Sequence, residues 1–126
     1  MSVKYNIVER GNPSDQTAPK KFYPSIVSSG RASLDLMTEQ IANASTVSPA
    51  DVSAVLISLL TLIPQELSRG NIVELGDFGS FWLRARSDGT ETAEEVRSTQ
   101  IHSLRSRFNP GKKFRNVLDI IEFEKA

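Results

Sequence analysis

Apolar and polar residues alternate at the start of this chain, fall at helical spacing through its middle, and alternate again beyond residue 72. From Val3 to Glu9 the residues Val3, Tyr5 and Ile7 interleave with Lys4, Asn6 and Val8, the period of a strand. Gly11, Pro13, Ser14, Asp15 and Pro19 make Gly11 to Lys21 a loop. Phe22 to Ser28 is apolar enough for a second strand, and Pro24, which has no amide hydrogen to donate, predicts that this strand lies at a sheet edge. Ser33 then predicts the N-cap of a helix through Ala44, with Asp35 favourably placed in its first turn. Leu34, Met37, Ile41 and Ala44 share one face of that helix and are expected in the core.

Ser48-Pro49-Ala50-Asp51 predicts the start of a longer helix: a capping serine, a proline at the first helical position, and an acid able to return a bond to the Ser48 amide. Val52, Val55, Leu56, Leu59, Leu60, Ile63 and Leu67 form its apolar stripe, which Ile57 and Leu62 widen beyond what one face needs. A helix that broad has a second surface to meet, either a partner chain or the N-terminal strands. Pro64 removes one backbone hydrogen bond and predicts a kink, and Gly70 ends the helix.

From Ile72 to Arg115 the period returns to two. Ile72, Val73 and Leu75 are strand formers, and Gly76-Asp77-Phe78-Gly79 supplies turn residues. Beyond Ser80, Phe81, Leu83 and Ala85 fall on one face, and Trp82, Arg84 and Arg86 on the other. A return strand from Gln100 to Phe108 puts Leu104 and Phe108 on one face and Arg105 and Arg107 on the other. Lys112, Lys113 and Arg115 follow Pro110-Gly111, and no acid occurs between Arg105 and Arg115. Guanidinium groups in a row on an exposed strand face suit phosphate oxygens through bidentate hydrogen bonds and charge. Charged strand faces also serve solubility and protect edges, so the pattern alone leaves both readings open.

Gly76-Asp77-Phe78-Gly79-Ser80-Phe81, followed by a strand with arginines, resembles the glycine-phenylalanine hairpin of the bacterial histone-like HU and IHF proteins. Phe108-Asn109-Pro110-Gly111-Lys112 resembles the segment that closes their sheet, and the two preceding helices match in length and order. The resemblance runs from about Leu34 to Leu118. It implies an α+β, HU/IHF-like fold: two helices packed under an antiparallel sheet with a shortened or altered β-arm, here with extra N-terminal strands and a C-terminal helix. It also implies an obligate homodimer with interlocked helices. The implied partner is duplex DNA, contacted mainly through its backbone by Arg84, Arg86, Arg105, Arg107, Lys112, Lys113 and Arg115. HU and IHF are the standard examples of minor-groove architectural binders.

Two departures qualify the resemblance. The family pattern begins with a helix, so the N-terminal strands are additional, and their expected role is to extend a sheet or cover an edge. In place of a long basic arm with an Arg-Asn-Pro tip, Ser87 to Thr99 is acidic, carries Glu91, Glu94 and Glu95, and has no proline. Kinking by an inserted proline is therefore not carried over. Thr90 or Thr92 is expected to cap a short turn at Ala93-Glu94-Glu95-Val96.

Composition narrows the chemistry. The 126 residues suit one domain, divided as an N-terminal β extension (1–32), a helical pair (33–70) and a sheet, arm and C-terminal helix (71–126). There is no cysteine and one histidine, His102, with no evident acid neighbour, so thiolate chemistry and the usual tetrahedral metal sites are excluded and neither cofactor nor catalysis is expected. No signal sequence is visible at Met1-Ser2-Val3-Lys4-Tyr5, and no apolar run is expected to span a bilayer, which makes the cytoplasm the expected compartment. Formal net charge is zero, unlike most sequence-independent DNA binders. That favours the alternative of a structural or protein-interaction module on an HU-like frame. Phe114, Val117, Leu118 and Ile121 have helical spacing, whereas Ile120 to Lys125 also alternates like a strand. Lys112 and Lys113 at a helix start oppose the helix dipole, which fits either a phosphate contact or a merely solvated pair.

Overall fold

The computed structural model describes residues 1–126, and every predicted element is present with small shifts of boundary. Strands β1 (Ser2–Arg10) and β2 (Lys21–Val27) form an antiparallel hairpin. Helices α1 (Leu34–Asn43) and α2 (Pro49–Ser68) follow. Strand β3 (Val73–Glu74) leads through a tight 3-10 turn at Gly76–Phe78 into β4 (Gly79–Ser87). After two further 3-10 turns come β5 (Ile101–Pro110), α3 (Lys112–Asp119) and β6 (Glu122–Lys125). The C-terminal ambiguity resolves into both elements, a helix and then a strand.

The strands make two separate three-stranded sheets, ordered β2-β1-β6 and β3-β4-β5. The N-terminal strands do not extend the second sheet. They pair with the chain's own last strand, Val3 in register with Phe123 and running parallel to it. This pairing joins residues some 120 positions apart, which local pattern does not reveal. Pro24 lies on β2, at the sheet edge where its missing donor costs no ladder bond.

Helix ends form as their sequences dictate. The Ser33 hydroxyl accepts from the Leu36 amide at 3.1 Å, and the Ser48 hydroxyl from the Asp51 amide at 3.2 Å. The Asp51 side chain makes no reciprocal bond to Ser48, so the expected capping box is half-formed. Pro64 lies within α2 without ending it.

Burial departs most from expectation. Only Val52 and Leu67 of the apolar residues are buried in the single chain. The α1 stripe expected in the core stays about two-fifths exposed at Met37 and Ile41, and Val55 (65%) and Leu60 (50%) on α2 are open. The N-terminal sheet does not cover them: α2 packs on α1, β3 and β4. A compact 13.9 kDa monomer should expose about 6,700 Å². This chain exposes 10660 Å², an excess of roughly 4,000 Å². Contrary to expectation, α2 is also long and apolar enough to cross a membrane, by length and composition alone.

Candidate nucleic-acid interface

The β4-β5 ribbon is anchored at one end by aromatic packing. Phe78, Phe81, Phe108 and Phe114 form a cluster, with the Phe108 ring 5.2, 4.9 and 5.4 Å from the other three. Edge-to-face and tilted contacts of this kind add stabilisation beyond area burial. Glycine is required at the base for steric reasons. Gly79 is buried with φ 144°, and a Cβ there would stand 2.5 Å from the Asn109 carbonyl oxygen and 2.7 Å from the Phe108 ring. A Cβ on Gly111 would collide with the Asp77 carbonyl, while the Gly111 amide donates to the Phe78 carbonyl at 2.9 Å. The two sequence motifs thus meet: the Gly76–Phe81 turn and the Phe108–Gly111 segment lock together and fix the register of everything beyond.

That register places the arginines. Phe81 faces Phe108, and one step on, on the opposite side of the ribbon, Trp82 faces Arg107 and Arg84 faces Arg105. Arg86 follows opposite Ser103. Arg84, Arg86, Arg105 and Arg107 line one open cleft of about 460 Å³. None of them lies within ion-pair distance of an acid; the chain's ion pairs are Arg69–Glu66 and His102–Asp88. Like charges directly opposite on a sheet repel and destabilise the pairing. Arg84 opposite Arg105 is thus a cost to the folded chain that no internal contact offsets.

The remaining three cations stand apart. Lys112, Lys113 and Arg115 belong to α3, which starts at the ribbon's base; that base lies five strand residues, ~17 Å at the usual rise, from the Arg84–Arg105 pair. Lys112 and Lys113 occupy the first turn of α3, whose N-cap Gly111 offers no side-chain cap. Lys113 flanks an apolar groove of about 670 Å³ with Phe78, Phe114 and Val117. The fold therefore collects four arginines in one place and three further cations at another.

The acidic connector is ordered into two short turns, Ala93–Glu95 and Ser98–Gln100. Its carboxylates do not engage the ribbon arginines. Arg97 folds back, its guanidinium donating to the carbonyls of Glu94 and Val96. The expected threonine cap is corrected: the Thr92 side chain makes no capping bond, and the Thr90 hydroxyl donates to the Thr92 carbonyl at 2.8 Å. His102, expected without an acid neighbour, lies 2.8 Å from the Asp88 carboxylate. The ladder slips between Arg86 and Ser87, where one step on β4 matches two on β5, and this irregularity draws Asp88 onto His102. The sequence signal was limited to an acid just past the end of β4; the slip that sets it beside His102 is seen only in the ladder.

No protein of curated function matches the chain. A solved structure from Bacteroides vulgatus ATCC 8482, described as a "putative bacterial DNA binding protein", superposes over 98% of this chain with a TM-score of 0.69. The sequences are 10% identical, so the likeness is one of fold, and the match spans 47% of that longer protein. A family model of HU domains fused to a wHTH, Ig or glycine-rich motif matches residues 1–125. The α+β frame, the interlocked glycine motifs and this match agree: the chain belongs to the HU-HIG family.

Proposed function

We propose that the chain is a DNA-binding, histone-like architectural domain that acts as a homodimer, residues 1–126 forming one HU-like unit. The observation that carries the reading is Arg84 set directly across from Arg105, flanked by Arg86 and Arg107, all without internal ion-pair partners. Phosphate oxygens would turn that repulsion into binding energy. Lys112, Lys113 and Arg115 would contact backbone separately, at the ribbon's base. Contacts of this kind position a protein on duplex without reading bases, so sequence preference would come from DNA shape. Trp82 shares the arginine face but is half-buried, which suits packing against the arm or a partner better than stacking on a sugar or base.

The dimer is supported by area. An excess of roughly 4,000 Å² per chain is more than the ~1,000–2,500 Å² per partner that an obligate dimer usually buries, so a dimer interface would take up part of it. Part of it lies on α2, where Val55, Ile57, Leu60 and Leu62 are half-open or more. Asp51, Gln65 and Glu66 on the same helix suit a protein interface better than lipid. We infer no catalytic role and no cofactor, and place the protein with DNA in the bacterial cytoplasm.

The test is equilibrium binding to random-sequence duplex over a salt series. With ~6–10 phosphate contacts per dimer, affinity should fall about 10³–10⁵-fold between 50 and 200 mM salt. Arg105→Ala with Arg107→Ala should flatten the log–log slope by about 1.8 per chain. A flat wild-type plot would refute the reading and favour the rival, a protein-interaction module, which the acidic Glu91, Glu94 and Glu95 support. Sedimentation of Leu60→Glu should show half the wild-type mass; a wild type already monomeric would remove the dimer.

A further inference from the structure

The sheet β2-β1-β6 carries its own unpartnered cation pair. On one face of the β1-β2 hairpin, Lys4, Asn6, Val8 and Arg10 point the same way as Val27, Ser25, Tyr23 and Lys21, their cross-strand partners. The two ends of this face are treated differently. At the end held by β6, Lys4 stands in register with Glu124, an acid on the neighbouring strand whose carboxylate accepts from the Ser2 hydroxyl at 3.3 Å. At the free end, Arg10 stands directly opposite Lys21, with Lys20 next in sequence.

No acid compensates the free end. Glu9 is in register with Phe22 on the opposite face. Asp15, in the connecting loop, accepts from the Thr17 hydroxyl at 2.6 Å and the Thr17 amide at 3.0 Å. Those bonds, the hydroxyl's first, hold its carboxyl below the usual carboxylate range and tie it into its own turn. Arg10, Lys21 and Tyr23 line an open cleft of about 420 Å³ at the loop. As with Arg84 and Arg105, like charges carried on Cβ atoms ~5 Å apart across a ladder weaken the sheet unless an anion lies between them.

We infer that the free end of the β1-β2 hairpin is a second phosphate-binding site, at which Arg10 and Lys21 hold one backbone phosphate of a nucleic acid and Tyr23 lies beside the adjoining sugar or base. Arg10 supplies a planar fork for two phosphate oxygens and Lys21 a point charge. Tyr23 is one step along the same face and 45% exposed, which gives a nucleotide a ring that a free phosphate or a lipid headgroup would not use. The inference rests on the DNA-binding reading for the identity of the polyanion. It concerns residues far from the ribbon in sequence and adds the N-terminal extension to the footprint.

The experiment uses the full chain and a labelled random-sequence duplex, with affinity measured by anisotropy over a salt series. Arg10→Gln with Lys21→Gln leaves the backbone pairing intact and relieves the repulsion, so the fold should be retained by circular dichroism. One phosphate contact is lost, so the log–log slope should flatten by about 0.9 per chain. Tyr23→Leu should weaken binding several-fold and leave the slope unchanged. A hairpin variant with wild-type slope, beside a ribbon variant with a reduced one, overturns this inference and spares the ribbon. The opposite pattern spares the hairpin and removes the ribbon assignment. Absence of duplex binding by the wild type overturns both. If phosphatidylglycerol vesicles bind through Arg10 and Lys21 and the duplex does not, the site is a membrane contact and the nucleic-acid assignment fails.

Discussion

The sheets β3-β4-β5 and β2-β1-β6 each end in a two-stranded hairpin with cations facing each other across it, Arg84 and Arg105 in one, Arg10 and Lys21 in the other. Their opposite ends are held by unlike means. The first is clamped by four phenylalanines and two glycines that nothing larger can replace. The second is held by a parallel strand from the far end of the chain, while Phe22, Ile26 and Phe123 on its apolar face stay open in the single chain. A rigid anchor lets the first ribbon hold its arginines at fixed register. The second has ladder bonds and little packing, so its cations are placed by pairing alone.

The largest effect should come from breaking the clamp. Gly79→Ala adds a Cβ that meets the Asn109 carbonyl and the Phe108 ring at a backbone angle alanine rarely adopts. Strain and overpacking together should cost about 3–5 kcal/mol. Urea unfolding followed by Trp82 fluorescence measures this, and a loss under ~1 kcal/mol would mean the turn can move away. Next comes a matched pair of truncations. Phe108→Ala removes a ring that touches three others and should cost about 2–4 kcal/mol, discounted because the residue is only half-buried. Phe123→Ala, 67% exposed, should cost less than ~1 kcal/mol. Equal losses would show that the N-terminal sheet is covered in solution by something the single chain does not supply.

The same contrast separates what could be read from sequence and what could not. The two halves of the clamp were legible because each is a short motif of glycine and phenylalanine; that they meet was implied by the family resemblance, and alternation then assigns each arginine a face. The helices were legible through their caps and stripes. Burial was not, since a stripe says that a face will be covered and leaves the cover unnamed, and here Met37, Val55 and Leu60 await a neighbour. The β1-β6 pairing depends on two short segments meeting across the whole chain. Without it the N-terminal strands could be read only as extending a sheet or covering an edge. The Arg10–Lys21 opposition escaped for a related reason: the loop between them is long, and its length leaves the register open. His102 gained its acid only because the ladder slips beside it.

The smallest effect is the most diagnostic, because stability and binding should move in opposite directions. Arg84→Glu would set an acid across from Arg105, where the native chain has repulsion. An opposite-charge cross-strand pair should stabilise by about 0.2–1 kcal/mol, and the lower end applies because both side chains are exposed and screened. The same substitution reverses one of four cleft charges and should lower duplex affinity at 50 mM salt by at least about tenfold if that cleft holds phosphate. Lys21→Glu makes the parallel change opposite Arg10, and its stability gain should be easier to resolve because no packed core dominates that sheet. A charge kept for solubility alone predicts the gain in stability without the loss in binding. If Arg84→Glu binds duplex as tightly as the wild type, the opposed arginines serve some end other than DNA, however much the fold gains from their removal.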